Sequence, residues 1–478
     1  MTTGDLSESG RLGSVGKVEL RGVDYVPENE RHSKVKELFF VFVGAQMCFG
    51  IIVVGTLPII FGLGFWQAVG AITFGLAVGS AFFGPLAMFG PKTGTNGAVA
   101  SGAHFGVRGR LIGSVITIIV ALFFVSLTVW TGGEALAAGF GKLFGWAQDE
   151  DALALGAAVI SAAIILVAIF GHATIVATET LVSYTIGAAL IITAIALSPQ
   201  FDPHPGGAYE LGAFWPTWFL SAAVCAALPI SYATFLNDYS RYVPADVEPR
   251  KAVLAAGTGM FVGLWLAFVF AAYVMTLLDS LDTPFVAGLM SVSPTWVVAL
   301  MILVGFFGSQ PQGSLCIYNA ALGLQGLGVP IGRVGATIVL SLVSLTMVFA
   351  GIYLINMVDI IISFLTLIEA AVSPWLAINI VGYWLIRRGQ YSPEDLFAYT
   401  VDGAKGRYWY SNGFNPPAVL AWVAGTISGL LFTSTGVFSG PLSGVFGGVS
   451  VDYIIAFFVG GALYLMLERD RALAPAVN

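Results

Sequence analysis

At 478 residues with 57% hydrophobic and only 10% charged side chains, and a mean hydropathy of +0.87, the chain lies far outside the soluble globular range and reads as a polytopic membrane protein. Its formal net charge of −7 and pI near 5.1 argue against nucleic-acid partners, although in such a chain the placement of charge matters more than its sum. Cys48, Cys225 and Cys316 all fall inside apolar runs, so small-hydrophobe packing is expected rather than a disulfide framework, and no zinc-type spacing exists.

In chain order, residues 1–36 form a polar, flexible tail without the short apolar core of a secretory signal. Twelve apolar runs of about 20 residues follow, near 39–64, 66–90, 110–137, 152–171, 174–198, 215–240, 252–278, 294–323, 334–352, 357–386, 416–435 and 449–467. The first is broken by Gly44, Gln46, Gly50, Gly55 and Pro58, and the sixth carries Pro229, Ser231 and Asn237. Helix breakers at membrane depth are tolerated where the freed backbone lines a cavity, so spans 1 and 6 are read as discontinuous helices at a midplane site. A proline kink in an ordinary packed span competes with that reading for either stretch alone. Both breaks open a group of five spans, which predicts two halves of opposite topology, 37–198 and 215–387, then a loop over 388–415, spans 11 and 12 over 416–467, and a tail over 468–478.

Alternate loops of a twelve-span chain lie on alternate sides. All but Lys142 of the 20 Lys and Arg residues then fall on the side of the N-terminus, from Arg11 and Arg21 in the tail to Arg469 and Arg471 after span 12. By the positive-inside rule both termini are expected in the cytoplasm, in a multi-pass protein of the cell membrane. A miscounted span would scramble the segregation downstream of the error.

A site between broken helices needs backbone dipoles, amides or hydroxyls for orientation, and flat apolar surfaces if the ligand is aromatic. Span 1 supplies Gln46 and Phe49 around Gly50, span 3 supplies Phe124, Thr128 and Trp130, and span 6 supplies Ser231. Span 8 carries Gln310, Gln312, Ser314 and Asn319, with Pro311 taken as a further break. A single aromatic is more often packing than ligand wall; a Gln in hydrocarbon is more telling, since leaving it unpaired costs on the order of a few kcal/mol. Glu369 in span 10 and Glu179 in span 5 are intramembrane carboxylates and candidates for ion coupling, against the plainer role of bracing two helices. Glu134 is assigned the bracing role, and Asp238, three residues before Arg241, a local structural pair or a gate hinge rather than a substrate contact. His32, His104, His172 and His204 fall in tails or loops with no acid or nucleophile placed to join them, so no enzyme is predicted. A passive channel is the reading from another class.

Three motifs in order resemble the nucleobase:cation symporter family that contains the purine and cytosine permeases. GPKTGTNGAVASGAHFGVRG after span 2 is similar to its G-x-K-x-G and F-G-x-x-G segment. LNDYSRYVP at the end of span 6 is similar to its A-D-[YF]-x-R-[YF], and YWYSNGFNPPAVLAWVAGTISG to its signature around span 11. The resemblance, from about Lys34 to Arg469, implies a LeuT-like fold of twelve helices and alternating access coupled to Na⁺ or H⁺, with no other cofactor. It implies a small heterocyclic substrate, a nucleobase first and allantoin, a hydantoin or a vitamin as alternatives, and no obligate protein partner. It places Phe49 and Phe124 beside the ligand, Thr128 where relatives carry Gln or Asn, and Ser231 at a serine near the base. Relatives that use sodium place adjacent hydroxyls in span 8 where this chain has Pro311-Gln312, so proton coupling is favoured.

Overall fold

The computed structural model describes residues 15–19, 22–201, 203, 206–354, 357–435 and 437–469; Arg11, Arg21, His204 and Arg471 lie outside them. The described chain is helical throughout its apolar runs. Among the described residues nine helices are long and apolar enough to cross a membrane, and a bent pair, Val35–Gly44 with Phe49–Ile60, turns through 75° at its break. Two shorter apolar helices, Pro416–Phe432 and Asp452–Leu467, complete the series. The twelve runs therefore correspond to these nine spans, the bent pair and the two short helices.

Span 1 ends its first half at Gly44 and restarts at Phe49, with Cys48 in extended conformation at φ −131° and ψ 153°. Span 6 runs from Phe214 to Ser231, tightens to a 3₁₀ turn over Tyr232–Thr234 and resumes over Leu236–Ser240. The break in span 1 gives close approach: a Cβ on Gly44 would lie 2.2 Å from the Glu179 carbonyl oxygen, and one on Gly50 2.9 Å from the Thr128 Cα. Span 8 corrects an expectation, because Thr295–Gly326 is one continuous helix through Pro311. A proline removes one N–H and crowds one carbonyl, which kinks a helix without ending it when packing holds both sides. Span 3 runs on to Phe144, past its expected end, and stops at Gly145 in the left-handed conformation.

Packing between spans repeats with an offset of five. Span 1 lies on spans 5 and 7 (His172–Leu197 and Pro249–Met275), and span 6 on spans 10 and 2 (Met357–Val381 and Phe65–Phe83). Span 3 packs on span 4 (Glu150–Phe170) as span 8 packs on span 9 (Arg333–Leu354), and spans 3 and 8 form the largest helix pair. Short helices, Gly97–Phe105 and Phe285–Val292, follow spans 2 and 7 in equivalent places. This is the inverted five-plus-five repeat, with the last two helices packed on each other and on span 10. Lys142 donates to the carbonyls of Met290, Ser291 and Ser293 and so caps the second short helix. The N-terminal segment departs from expectation: Glu19 and Gly22–Val26 are bonded across helix ends rather than loose.

Candidate functional site

The break in span 1 faces spans 3, 5 and 8. Gln46 is fully buried and neither amide atom has a hydrogen-bond partner. Buried polar atoms without partners are uncommon in native structures and call for an explanation such as a ligand or water. The Met47 carbonyl oxygen faces span 8 at Gly308, where a Cβ would come within 2.5 Å of it. Phe49 turns toward span 8 at Gly305 and packs edge-on to Phe285, with centroids 6.3 Å apart.

Span 3 meets this break through Phe124 and Thr128. Phe124 lies 5.0 Å from Tyr232 between ring centroids, tilted by 53°. The Thr128 hydroxyl donates to the Phe124 carbonyl at 2.7 Å and lies 3.9 Å from the Cys48 sulfur. Gln312 donates to the Tyr232 hydroxyl and lies 3.4 Å from the Cys316 sulfur, while its own Oε1 has no partner. Span 1, span 3, the span 6 turn and span 8 thus enclose one cluster of Cys48, Gly50, Phe124, Thr128, Tyr232, Gln312 and Cys316. It offers two aromatic faces and an unused amide oxygen, and the unpartnered Gln46 lies two residues before Cys48 in the same break.

Two assigned residues turn elsewhere. The Ser231 hydroxyl donates to the Ala227 carbonyl of its own helix at 3.0 Å. Gln310 donates to the Phe306 carbonyl at 2.8 Å and sits on the flank of span 8 shared by exposed Leu303 and Phe307, away from Gln312. Sequence reasoning passed over Tyr232, next to Ser231, though an aromatic in the turn of a broken helix was the signal for it.

The acidic candidates separate. Glu179 is fully buried, neither carboxyl oxygen has a partner, and a Cβ on Gly44 would lie 2.6 Å from its Oε2. It therefore abuts the end of the first half of span 1. Glu369 lines a small cavity with Leu365, Thr366, Ser450, Tyr453 and the Ala223–Ala227 stretch of span 6, and none of the clustered aromatic or amide residues lines it. Asp238 accepts from the Gly97 amide at 3.1 Å at the head of the first short helix, and the Arg241 ion pair is with Glu19 at 3.9 Å. Near the Met47 carbonyl, Ser309 donates to Gly305 at 2.6 Å and Ser314 to Pro311 at 3.0 Å, so both span 8 hydroxyls are turned onto their own helix.

A family described as permeases for cytosine/purines, uracil, thiamine and allantoin matches residues 25–460. The chain belongs to that family. The permease is 29% identical over 471 residues to YxlA of Bacillus subtilis, a protein provisionally named as a purine-cytosine permease, covering 95% of this chain and 97% of that one. It is 24% identical over 378 residues to the hydantoin permease of Microbacterium maritypicum, covering 75% and 72%. In three dimensions it resembles Mhp1, a nucleobase-cation-symport-1 family transporter, in a closed conformation with bromovinylhydantoin bound. The TM-score is 0.74 at 18% identity, over 95% of this chain and 97% of that one. The permease is a multi-pass membrane transporter and not an enzyme.

Proposed function

We propose that the permease imports a planar nitrogen heterocycle by proton symport through alternating access. The observation that carries this is the buried cluster at the span 1 break: the aromatic pair Phe124 and Tyr232 meets Gln312, whose Oε1 has no partner, and the break itself carries the unpartnered amide of Gln46. A flat ring stacks on aromatic faces, and its N–H and C=O edge satisfies amides, so one ligand would meet both demands. Phe49, Gly50 and Thr128 shape the rest of the wall. Gln310 and Ser231 act in this reading as helix packing, outside direct contact.

Proton coupling rests on Glu179. It occupies the flank of the span 1 break, and span 8 carries Pro311-Gln312 where sodium-using relatives place adjacent hydroxyls. Glu369 is the less well placed carboxyl, because its cavity lies between spans 6, 10 and 12. The charge bias supports cytoplasmic termini in a cell-membrane protein, and in this reading the two repeats, 37–198 and 215–387, are the moving units. The name of the hydantoin permease favours a hydantoin as the second substrate reading.

Thermal-shift screening against bases, ureides, hydantoins and vitamins identifies the substrate, since a ligand of the folded state raises apparent stability. Uptake of the hit is expected to persist when choline replaces sodium and to collapse with a protonophore. In Glu179→Gln, binding is expected to survive while accumulation is lost and exchange continues. A strict sodium requirement in the parent chain rules the proton out, and full accumulation in Glu179→Gln rules this carboxyl out.

A further inference from the structure

Glu19 is bound more densely than a tail residue has reason to be. Its amide donates to the Phe170 carbonyl at 3.0 Å, and its carbonyl accepts from Arg333 Nε at 2.7 Å. One carboxyl oxygen accepts from the His172 amide at 2.8 Å, and the other from the hydroxyls of Tyr242 at 2.5 Å and Tyr318 at 3.3 Å. Gly171, at φ +87°, makes room: a Cβ there would lie 2.4 Å from Glu19 Oε2. Beyond Glu19, the Gly22 carbonyl accepts from Arg241 Nη1 at 2.8 Å, the Val23 carbonyl from Thr95 at 2.7 Å, and the Val26 amide donates to Gly94 at 2.8 Å.

This strap therefore ties the ends of spans 4, 5, 6, 8 and 9 and the loop after span 2. Arg241 and Arg333 are 0% and 2% exposed. A guanidinium held out of water needs a counter-charge, and removing its partner is far costlier than the pair is favourable. The strap also approaches the site along span 8. Tyr318 lies six residues beyond Gln312 on span 8, about 9 Å along the helix axis, and between and beside them Cys316 and Asn319 are fully buried. Neither amide atom of Asn319 has a partner, as expected of a polar passage that is shut.

We propose that the Glu19 strap is the gate on the face of the N-terminus, and that the Glu19 carboxylate is its latch. With the latch made, span 6 is held to spans 5 and 8, and the site cannot open on this side. Release of Glu19 removes the carboxylate that Arg241, Tyr242 and Tyr318 share, leaves Arg241 on neutral partners such as the Tyr318 hydroxyl at 2.8 Å, and so weakens the tie that keeps the halves together. The inference rests on the alternating-access reading but not on the substrate or the coupling ion.

The test labels native Cys316 in the full-length protein with a membrane-impermeant maleimide, read by peptide mass spectrometry in membrane vesicles of both orientations without substrate. Glu19→Gln is expected to speed Cys316 labelling at least tenfold in one orientation only, with Glu19→Asp intermediate. The orientation that responds reports which side the N-terminus occupies, so a wrong topology is told apart from a wrong latch. Should Glu19→Gln fail to fold, the Tyr242→Phe, Tyr318→Phe double variant decides, since it keeps the carboxylate and removes its hydroxyl donors. Unchanged labelling in the variant that folds overturns the latch, as does an equal rise in both orientations, which would mean general loosening. A substrate-screen failure with labelling still one-sided faults the ligand assignment and leaves the gate standing.

Discussion

At the scale of single residues, the site is defined by what its polar atoms lack. The Ser231 hydroxyl is spent on its own helix, whereas the Tyr232 hydroxyl accepts from Gln312 in the middle of the cluster. Ser231→Ala is therefore expected to leave ligand affinity within about twofold, and Tyr232→Phe to weaken it by roughly three- to tenfold, the worth of one net hydrogen bond. Isothermal titration of both variants with the ligand found by screening checks this, and equal losses in both would contradict it. Gln46, Gln312, Glu179 and Glu369 were legible in the sequence as costly groups at membrane depth. Which of them face one another was not, because a polar residue announces its cost in one dimension and its neighbours only in three.

Among elements, span 1 is the one whose geometry everything else serves. Its second half touches span 3 through Gly50, where a Cβ would meet the Thr128 backbone at 2.9 Å, so no larger residue fits without moving a helix. Gly50→Leu is expected to destabilise the permease by about 1–3 kcal/mol, the usual penalty of overpacking, and to abolish the ligand-induced thermal shift. A variant with parental melting temperature and parental ligand shift would refute that close fit. Span 8 shows the opposite lesson. Pro311 reads as a break, yet Thr295–Gly326 stays whole because span 3 supports it along most of its length. Pro229 likewise stays inside Phe214–Ser231, whereas span 1 does part between Gly44 and Phe49, where the Glu179 and Thr128 backbones press on Gly44 and Gly50, a contact that no local rule contains.

For the whole molecule, the loops beneath the spans carry a pH signature. His104 in the short helix Gly97–Phe105 is fully buried, stacks on Phe89 at 5.5 Å and shares a 3.1 Å hydrogen bond with Tyr391 from the loop after span 10. Burial, aided by the nearby Arg387 charge, pushes its imidazole well below the ordinary value of 6.5. The unfolded chain then takes up a proton below about pH 6.5 that the folded chain refuses, so this group costs stability as pH falls through that value. The loss is at most about 1.4 kcal/mol per pH unit. Melting temperature in detergent is expected to decline from pH 7 to 5.5, and less steeply in His104→Gln; identical slopes would remove His104 as the cause.

The sequence by itself determined that this is a helical membrane permease with its first and sixth spans interrupted. Hydrophobic length and helix breakers are properties of consecutive residues, and the three family motifs are contiguous. Tertiary structure alone decided that Tyr232 rather than Ser231 enters the cluster, that Glu179 and Glu369 stand in different places, and that Glu19 joins Asp238 in answering the charge of Arg241. Each of those outcomes depends on how far one helix is rotated against another. A residue's own chemistry sets the cost of burying it, and only the packed neighbours decide what offsets that cost.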